Sequence, residues 1–364
     1  GDTLGALNRF LRSLLEREVV QALLVPQRVP AGDNIVQTLV SDVARLEAID
    51  PVAPVLPVQS AKLVSNITAS GPARKVGVVL KPCEWRAVVE LVKLKQVRLD
   101  NVLTIGVDCL GTYEVKDFAA MAGEGISPTS ESLSQVTAKY ALPPHPYEGF
   151  AFRTACQMCE YPVPVGTDVR IELIGWDVSN AIGLEAPEEL VAKLDLPAGA
   201  ASPEREKAIE GWVAARVATR NKLLAEFRER VHDIPALLAQ FSTCLRCHNC
   251  MVACPICYCK ECIFRGATFA HASPQYFTWA ERKGAIRMPT DTLLFHLGRL
   301  NHMVASCVGC GLCTSACPVG LPVGTVFRAV GENVQALFDY TPGRSVDDLL
   351  PLATFREDEL QELG

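Results

Sequence analysis

The sequence predicts a protein with two kinds of domain: an α/β domain in the N-terminal half and a mainly α-helical, cysteine-rich domain in the C-terminal half. Two observations lead to this prediction. Strand-like and helix-like segments alternate up to about residue 145, an order typical of a sheet with parallel strands. Seven cysteines then fall between Cys244 and Cys262, after a long polar helical stretch. A chain of 364 residues is long for one core, which favours two or three domains.

The N-terminal half is predicted element by element from its hydrophobic pattern. The segment VVQALLVPQRV (19–29) is predicted as a buried strand and DNIVQTLVSDVARLEAI (33–49) as a helix. KVGVVL (75–80) and NVLTIGVDC (101–109) are predicted as strands, with the helix EWRAVVELVKLKQV (84–97) between them. Ligands of such sheets gather at the carboxyl ends of strands, where Cys83 and Cys109 lie. The first helix is predicted from leucines that share one face: Leu4, Leu7, Leu11, Leu14 and Leu15.

The composition sets the domain boundaries that we predict. Residues 1–185 form the α/β domain, 186–243 a helical linker, 244–335 the cysteine-rich domain and 336–364 a C-terminal tail. In the linker, Ser202 and Pro203 fit the N-cap and first positions of a long polar helix, which is expected to be a spacer. In the α/β domain, a CxxC pair is followed by a proline-rich turn and a strand.

The charge balance argues against several classes of function. Net charge is -6 and the pI is about 5.6, so the chain has no general attraction to nucleic acid or anionic lipid. No apolar run reaches the roughly 18 residues that span a bilayer, and the charged, amphipathic N-terminus is unlike a secretory signal. We therefore expect a cytoplasmic protein. Because thiols stay reduced there, its 15 cysteines indicate metal or redox chemistry rather than disulfides.

The spacing C-x2-C-x2-C-x3-C-P occurs twice and predicts two [4Fe–4S] clusters. Three thiolates spaced by two residues bind one cube, and the fourth binds the other. Structural zinc, the alternative, more often uses two CxxC pairs. The long segment between the motifs leaves room for helices, so we expect a mainly helical ferredoxin-like domain with the cubes close together. One cluster is assigned to Cys244, Cys247, Cys250 and Cys317, and the other to Cys307, Cys310, Cys313 and Cys254.

Seven cysteines remain outside the two motifs. The tight C-x-C-x2-C run predicts a third metal centre whose fourth ligand comes from elsewhere, and Cys83 and Cys109 are candidates for it by position. Buried thiols without a metal are the alternative for these two. The Cys156–Cys159 pair serves the third centre or holds another metal. The C-x-C-x2-C run consists of Cys257, Cys259 and Cys262.

Four other polar residues stand near these motifs. His248 and His302 are predicted to pack beside the clusters or tune them, because cysteines already fill both cubes. Asp108 and Asp168 are predicted as solvated loop residues, with a place beside a cofactor as the alternative.

Taken together, these blocks resemble the beta subunits of coenzyme F420-reducing hydrogenases and dehydrogenases, and above all those of formate dehydrogenases. The resemblance covers nearly the whole chain. It lies in GALNRFLRSLLEREVVQALLV, APVLPVQSAKLVSNIT, LKPCEWRAVVELVKLKQV, TIGVDCLGTY, RTACQMCEYPVPVGTDVRIELIG, CPICYCKEC, FHLGRLNHMVASCVGCGLCTSACPVGLPV and PLATFREDEL.

The resemblance implies FAD in the N-terminal domain, several [4Fe–4S] clusters and a partner catalytic subunit. In such proteins FAD exchanges hydride with coenzyme F420 and single electrons with the clusters. The implied partner is a formate dehydrogenase catalytic subunit, a hydrogenase or a heterodisulfide-reductase-like complex. The flavin contacts implied by position lie in the Gly1–Ala6 loop, in the later segment SAKLVSNIT and in the Lys81–Glu84 turn: Gly1, Gly5, Lys62, Ser65, Asn66, Thr68, Lys81, Pro82 and Glu84.

Two alternatives remain open at this stage. The hydride carrier is F420 or NAD(P)H, although no GxGxxG motif for dinucleotide binding is present. A flavin-free iron–sulfur adaptor is the alternative function. Nothing in the sequence suggests a molybdenum or tungsten site, so we expect a partner, and not this chain, to oxidise formate.

Overall fold

In the computed structural model, which describes residues 2–46, 48–136 and 142–354, six strands form one mixed sheet. Their order is β2-β1-β3-β4-β5-β6. The four inner strands are parallel, and β2 and β6 pair antiparallel at the edges. The predicted α/β sheet is confirmed. The strands are β1 (Ala22–Arg28), β2 (Ile35–Val40), β3 (Val76–Leu80), β4 (Val102–Val107), β5 (Val169–Glu172) and β6 (Gly183–Glu185).

Helices cover both faces of the sheet and build most of the cysteine-rich region. In the N-terminal half they are α1 (Thr3–Glu16), α2 (Ser60–Thr68), α3 (Pro82–Lys93), α4 (Val115–Gly123), α5 (Pro128–Ser134), α6 (Thr154–Gln157) and α7 (Glu188–Leu194). They continue as α8 (Arg205–Arg230), α9 (Ile234–Gln240), α10 (Asn249–Ala253), α11 (Ser273–Lys283), α12 (Thr292–Met303), α13 (Leu312–Ser315) and α14 (Val323–Leu337). Among the described residues, no helix is long and apolar enough to cross a membrane.

The sheet is buried on both sides, as parallel strands usually are. On one face, Leu7 and Leu11 of α1 pack with Ile105 of β4. On the other face, Val64 of α2 and Val88 of α3 pack in a separate apolar layer. The leucine stripe predicted for the first helix is confirmed at Leu7, Leu11, Leu14 and Leu15, whereas Leu4 is only partly buried.

The predicted helix over 33–49 is wrong. Its first part is strand β2, which pairs antiparallel with β1, and only Val43–Arg45 forms a short 3-10 helix. The missed signal is the turn before it: Gly32 has a φ of 76°, and the N–H of Val29 donates to the carbonyl of Asn34 at 3.0 Å. Glycine adopts this φ without strain, so the chain reverses and β2 pairs along the edge of β1.

The long helix α8 is part of both cores, contrary to its predicted role as a spacer. Trp212 packs in the core of the sheet, and Phe227 packs in the core of the cysteine-rich region. The helix also begins at Arg205, later than predicted. The hydroxyl of Ser202 donates to the carbonyl of Gly175 and does not cap the helix.

A buried ion pair attaches the start of α8 to the sheet. Arg205 binds Asp108 through two hydrogen bonds, of 2.6 Å and 3.1 Å. The same carboxylate accepts the backbone N–H groups of Leu173 and Ile174. Burial raises the pKa of Asp108, and Arg205 opposes this shift. The prediction of a solvated Asp108 is therefore wrong. This residue directly follows β4, and its carboxylate is buried against the residues that follow β5. Asp168 does lie at the surface, where it accepts a hydrogen bond from Thr104.

We predict that Asp108→Ala lowers the free energy of unfolding by about 3–5 kcal/mol. The change leaves the buried Arg205 with Glu172 alone as a partner and leaves the N–H groups of Leu173 and Ile174 without their acceptor. The apparent melting temperature of anaerobically purified protein measures this effect. The exposed pair of Arg12 and Glu16 supplies the control, since Glu16→Ala should change stability by less than about 1 kcal/mol. Equal melting temperatures for the two variants would contradict the prediction.

Candidate iron–sulfur and flavin sites

Cys244, Cys247, Cys250 and Cys317 line one small cavity, which we call site A. Burial raises the pKa of Cys244 and Cys250, and neighbouring thiols of the same set raise it further. Backbone N–H groups point at two of the sulfurs: Arg246 donates to Cys244 at 3.3 Å and Leu321 to Cys317 at 3.4 Å. The structure thus brings the four predicted ligands of one cube together, including the ligand from the other motif.

Cys307, Cys310, Cys313 and Cys254 form the second group, which we call site B. Burial, and after it the charge of Cys254, raises the pKa of Cys307 to about 12. Cys254 likewise raises the pKa of Cys310 and Cys313, after burial. Buried thiols of this kind fit a cluster, because bound iron supplies the positive charge that thiolates need.

The two motifs repeat each other in backbone conformation as well as in spacing. Arg246 and His248 have positive φ angles of 51° and 65°, and Gly309 and Gly311 have 72° and 71°. These are the second and fourth residues after the first cysteine of each motif. The left-handed turns curl each cysteine triplet, and a short helix carries the third cysteine of each triplet: α10 carries Cys250 and α13 carries Cys313. These two helices pack against each other.

A third group of four cysteines lies at the carboxyl edge of the sheet. Cys83, Cys109, Cys156 and Cys159 line one cavity, which we call site C. Cys83 follows β3 and Cys109 follows β4, and these strands are neighbours, so their carboxyl ends bring the two thiols together. Burial, and after it Cys156, raises the pKa of Cys109 to about 11. Cys310 of site B lines the same cavity.

The C-x-C-x2-C run lies elsewhere, so the structure does not bring it to Cys83 or Cys109. Cys257, Cys259 and Cys262 line a cavity of about 620 Å³, which we call the main cavity. Burial raises the pKa of Cys257 to about 11, with Cys254 as the next cause. Among the described residues, no three His, Cys, Asp or Glu side chains are placed to bind a single metal ion. The ligands of a cube bind different irons and surround a larger volume.

The residues implied as flavin contacts are divided among several places. Lys62, Ser65 and Asn66 line the main cavity. Lys81 and Pro82 line site C. Thr68 is buried, and its hydroxyl donates to the carbonyl of Val64.

The remaining implied contacts have structural partners or lie away from the main cavity. The buried carboxylate of Glu84 accepts the N–H of Lys81 at 2.8 Å and that of Ser60 at 3.0 Å. Gly5 lies in the first turn of α1, which Asp2 caps, so Thr3–Ala6 is helix and not the predicted loop. Gly1 lies outside the described residues.

Three buried cationic or aromatic side chains that the sequence analysis missed surround the cysteine sites. Arg299 donates to the sulfur of Cys250 at 3.1 Å. The ring of His296 stacks on Phe241, and its Nε2 lies 3.4 Å from the sulfur of Cys244. The signal for both was a polar side chain on the apolar face of a helix, at the spacing i, i+3 within FHLGRL.

Arg153 is the third of these residues and connects sites B and C. Its guanidinium donates to the carbonyl of Cys310 at 2.8 Å and to the hydroxyl of Thr112 at 3.2 Å. That hydroxyl lies 3.0 Å from the sulfur of Cys156. The two predicted histidines have different surroundings: the ring of His248 packs against Phe295, and His302 lines the main cavity.

The comparison with family models defines the class of the C-terminal region. Residues 240–321 match the 4Fe-4S dicluster domain. This range includes both repeated motifs, so the chain contains an iron–sulfur domain of the kind that transfers electrons. The expectation of iron–sulfur clusters is confirmed at this level.

Two relatives match nearly the whole chain. The beta subunit of F420-dependent formate dehydrogenase from Methanocaldococcus jannaschii is 26% identical over 95% of this chain and 93% of its own. The beta subunit of F420-dependent formate dehydrogenase 1 from Methanococcus maripaludis is 25% identical over 97% and 93%. The protein is therefore similar to these beta subunits along nearly its whole length, and the resemblance predicted from its motifs is confirmed.

A more distant match comes from a solved structure. A chain of the F420-reducing [NiFe] hydrogenase complex from Methanosarcina barkeri is 14% identical, with 64% of this chain and 87% of that chain covered. The TM-score is 0.36.

We predict that Cys307→Ser removes about four irons together with one [4Fe–4S] signal in the EPR spectrum of the reduced protein. Serine lacks the thiolate that the cube needs. The matched control is Ser306→Ala, which changes the neighbouring residue and should keep all the iron. Unchanged iron in Cys307→Ser would show that this cysteine is not a ligand.

Proposed function

We propose that this chain is a flavin- and iron–sulfur-containing oxidoreductase subunit that converts hydride transfer into single-electron transfer. The observation that carries the proposal is the succession of sites A, B and C beside one large cavity. Sites A and B both lie near Arg299, and Cys310 of site B lines site C. Groups of clusters placed in such a series transfer electrons one at a time.

FAD is the proposed occupant of the main cavity. A volume of about 620 Å³ is in the usual range of roughly 300–1,000 Å³ for ligand sites. Lys62, Lys95, Lys260 and Arg265 offer positive charge for a pyrophosphate, and Asn66 offers an amide. A bound flavin would accept two electrons as hydride and release them singly.

Coenzyme F420 is the proposed hydride carrier, because both relatives are named as F420-dependent enzymes. NAD(P)H is the alternative carrier. The proposed partner is a catalytic subunit of a formate dehydrogenase, a hydrogenase or a heterodisulfide-reductase-like complex, since both relatives are named as subunits.

Site A is the outer end of the series: Cys247 is exposed, and the nearby Leu245 is 61% exposed. We therefore place electron exchange with the partner at site A.

Site C is proposed as the third [4Fe–4S] site. Its four cysteines converge from two strand ends and from α6, and the buried Arg153 offsets their negative charge. A metal centre at Cys257, Cys259 and Cys262 is a second use of the main cavity, and it competes with flavin for the same space.

Iron, sulfide and flavin analysis of one anaerobic sample tests these assignments. About twelve irons with one FAD would support clusters at sites A, B and C and a flavin in the main cavity. About sixteen irons without flavin would favour a metal centre in that cavity. About eight irons without flavin would favour the flavin-free adaptor and would reject the catalytic proposal.

We predict that Asn66→Ala and Lys62→Ala each weaken FAD binding about tenfold, which corresponds to about 1.4 kcal/mol, because each removes a polar group from the cavity wall. Flavin content and the rate of F420 reduction measure the effect, and iron content should stay constant. The matched control is Lys116→Ala on α4, outside the cavity lining. Full flavin in both cavity variants would place the flavin elsewhere.

A further inference from the structure

Arg299 differs from Arg153 because its guanidinium donates to the sulfur, and not only to the carbonyl, of a proposed cluster ligand. It lies on α12 and is 2% exposed. Its Nη1 donates to the sulfur of Cys250 at 3.1 Å, and its Nη2 donates to the carbonyl of Cys250 at 3.1 Å. Charged donors make stronger hydrogen bonds than neutral ones. The guanidinium is therefore fixed against one ligand of site A.

The same charge also acts on site B. Burial opposes the charge of Arg299, but thiols of both sites raise its pKa above the ordinary value: Cys250 contributes most, followed by Cys254 and Cys313. An arginine stays protonated in proteins. Arg299 is thus a permanent positive charge that contacts site A directly and acts on site B at longer range.

Arg299 has no other counter-ion among the described residues. The ion pairs found there include no carboxylate partner for it, and its Nε is buried without a hydrogen-bond acceptor. It packs instead over the rings of Phe295 and Phe327. A buried guanidinium is costly unless a negative group compensates it, and the thiolates of sites A and B are the negative groups within reach.

We propose that Arg299 is a positioning residue that raises the reduction potentials of the clusters in sites A and B, with the larger effect on site A. Hydrogen bonds to cluster sulfurs and the net charge around a cluster set its potential. Reduction adds one negative charge, which a nearby cation stabilises. Site A receives both the N–H···S bond and the charge, whereas site B receives the charge alone. This inference rests on the proposed clusters at sites A and B.

The test compares Arg299→Gln and Arg299→Lys with wild type in an EPR-monitored redox titration under anaerobic conditions. Cys317→Ser and Cys307→Ser identify the signals of sites A and B. In Arg299→Gln we expect the reduction potential of site A to fall by at least about 59 mV, which corresponds to a tenfold change in the one-electron reduction equilibrium. The reduction potential of site B should fall by less. Arg299→Lys should have the wild-type reduction potential at site B and a smaller fall in potential at site A, because lysine keeps the positive charge but lacks the guanidinium's paired donors.

The matched control is Arg228→Gln. Arg228 pairs with Glu332 on the surface, so its replacement should leave both reduction potentials unchanged. Wild-type potentials in an iron-replete Arg299→Gln variant would overturn the role of Arg299. If Arg299→Gln loses iron, Arg299→Lys decides: a lowered site A potential supports the proposal and an unchanged one overturns it. Wild-type protein without iron would instead reject the proposed function itself.

Discussion

The placement of site B against the sheet depends on Arg86, a buried arginine in the helix that follows β3. Its guanidinium donates to the carbonyl of Val308 at 3.1 Å, between the first two cysteines of the second motif, and to the carbonyl of Pro342 at 2.6 Å. It also lies 3.5 Å above the ring of Tyr161. A buried guanidinium must satisfy its donors, so these carbonyls can take few other positions. The sheet is thereby fixed against site B, and Glu90 reinforces the contact by accepting hydrogen bonds from Tyr340 and Gly343.

This contact explains why sites B and C adjoin although their cysteines are far apart in sequence. Site C lies at the carboxyl ends of β3 and β4, and Arg86 lies one helical turn after Cys83 in α3. Arg153 then connects the two sites from the other side, through Cys310 and Thr112. The main cavity is close to site B, because Cys257 in its wall lies near Cys254.

The sequence predicted the features whose causes are local. The spacing within each cysteine motif was enough to group the cysteines of sites A and B, because three of the four cysteines in each site come from one short segment. The strands β3 and β4 were predicted from continuous apolar runs. Site C was not predicted as a unit, since its ligands meet only through strand pairing and the placement of α6. Strand β2 was predicted as a helix because the turn at Gly32 was overlooked. The apolar residues of this segment fit the periodicity of a helix as well as that of a strand.

The polar groups that matter most for the electrostatics were the hardest to predict, because composition does not reveal which charges are buried. Asp108 was expected in solvent, yet its two neighbouring backbone N–H groups and Arg205 make burial favourable. No motif marks Arg299 or Arg153 in the sequence. Only the fold shows that thiols surround Arg299 and that Arg153 lies beside both thiols and Glu114. Arginine suits this role because its charge does not titrate and its fork reaches a sulfur and a carbonyl at once. Arg299 and the cysteines beside it therefore depend on each other: without those cysteines Arg299 would have no counter-charge among the described side chains. On the role proposed for Arg299, each electron added to these sites would be less well stabilised without it.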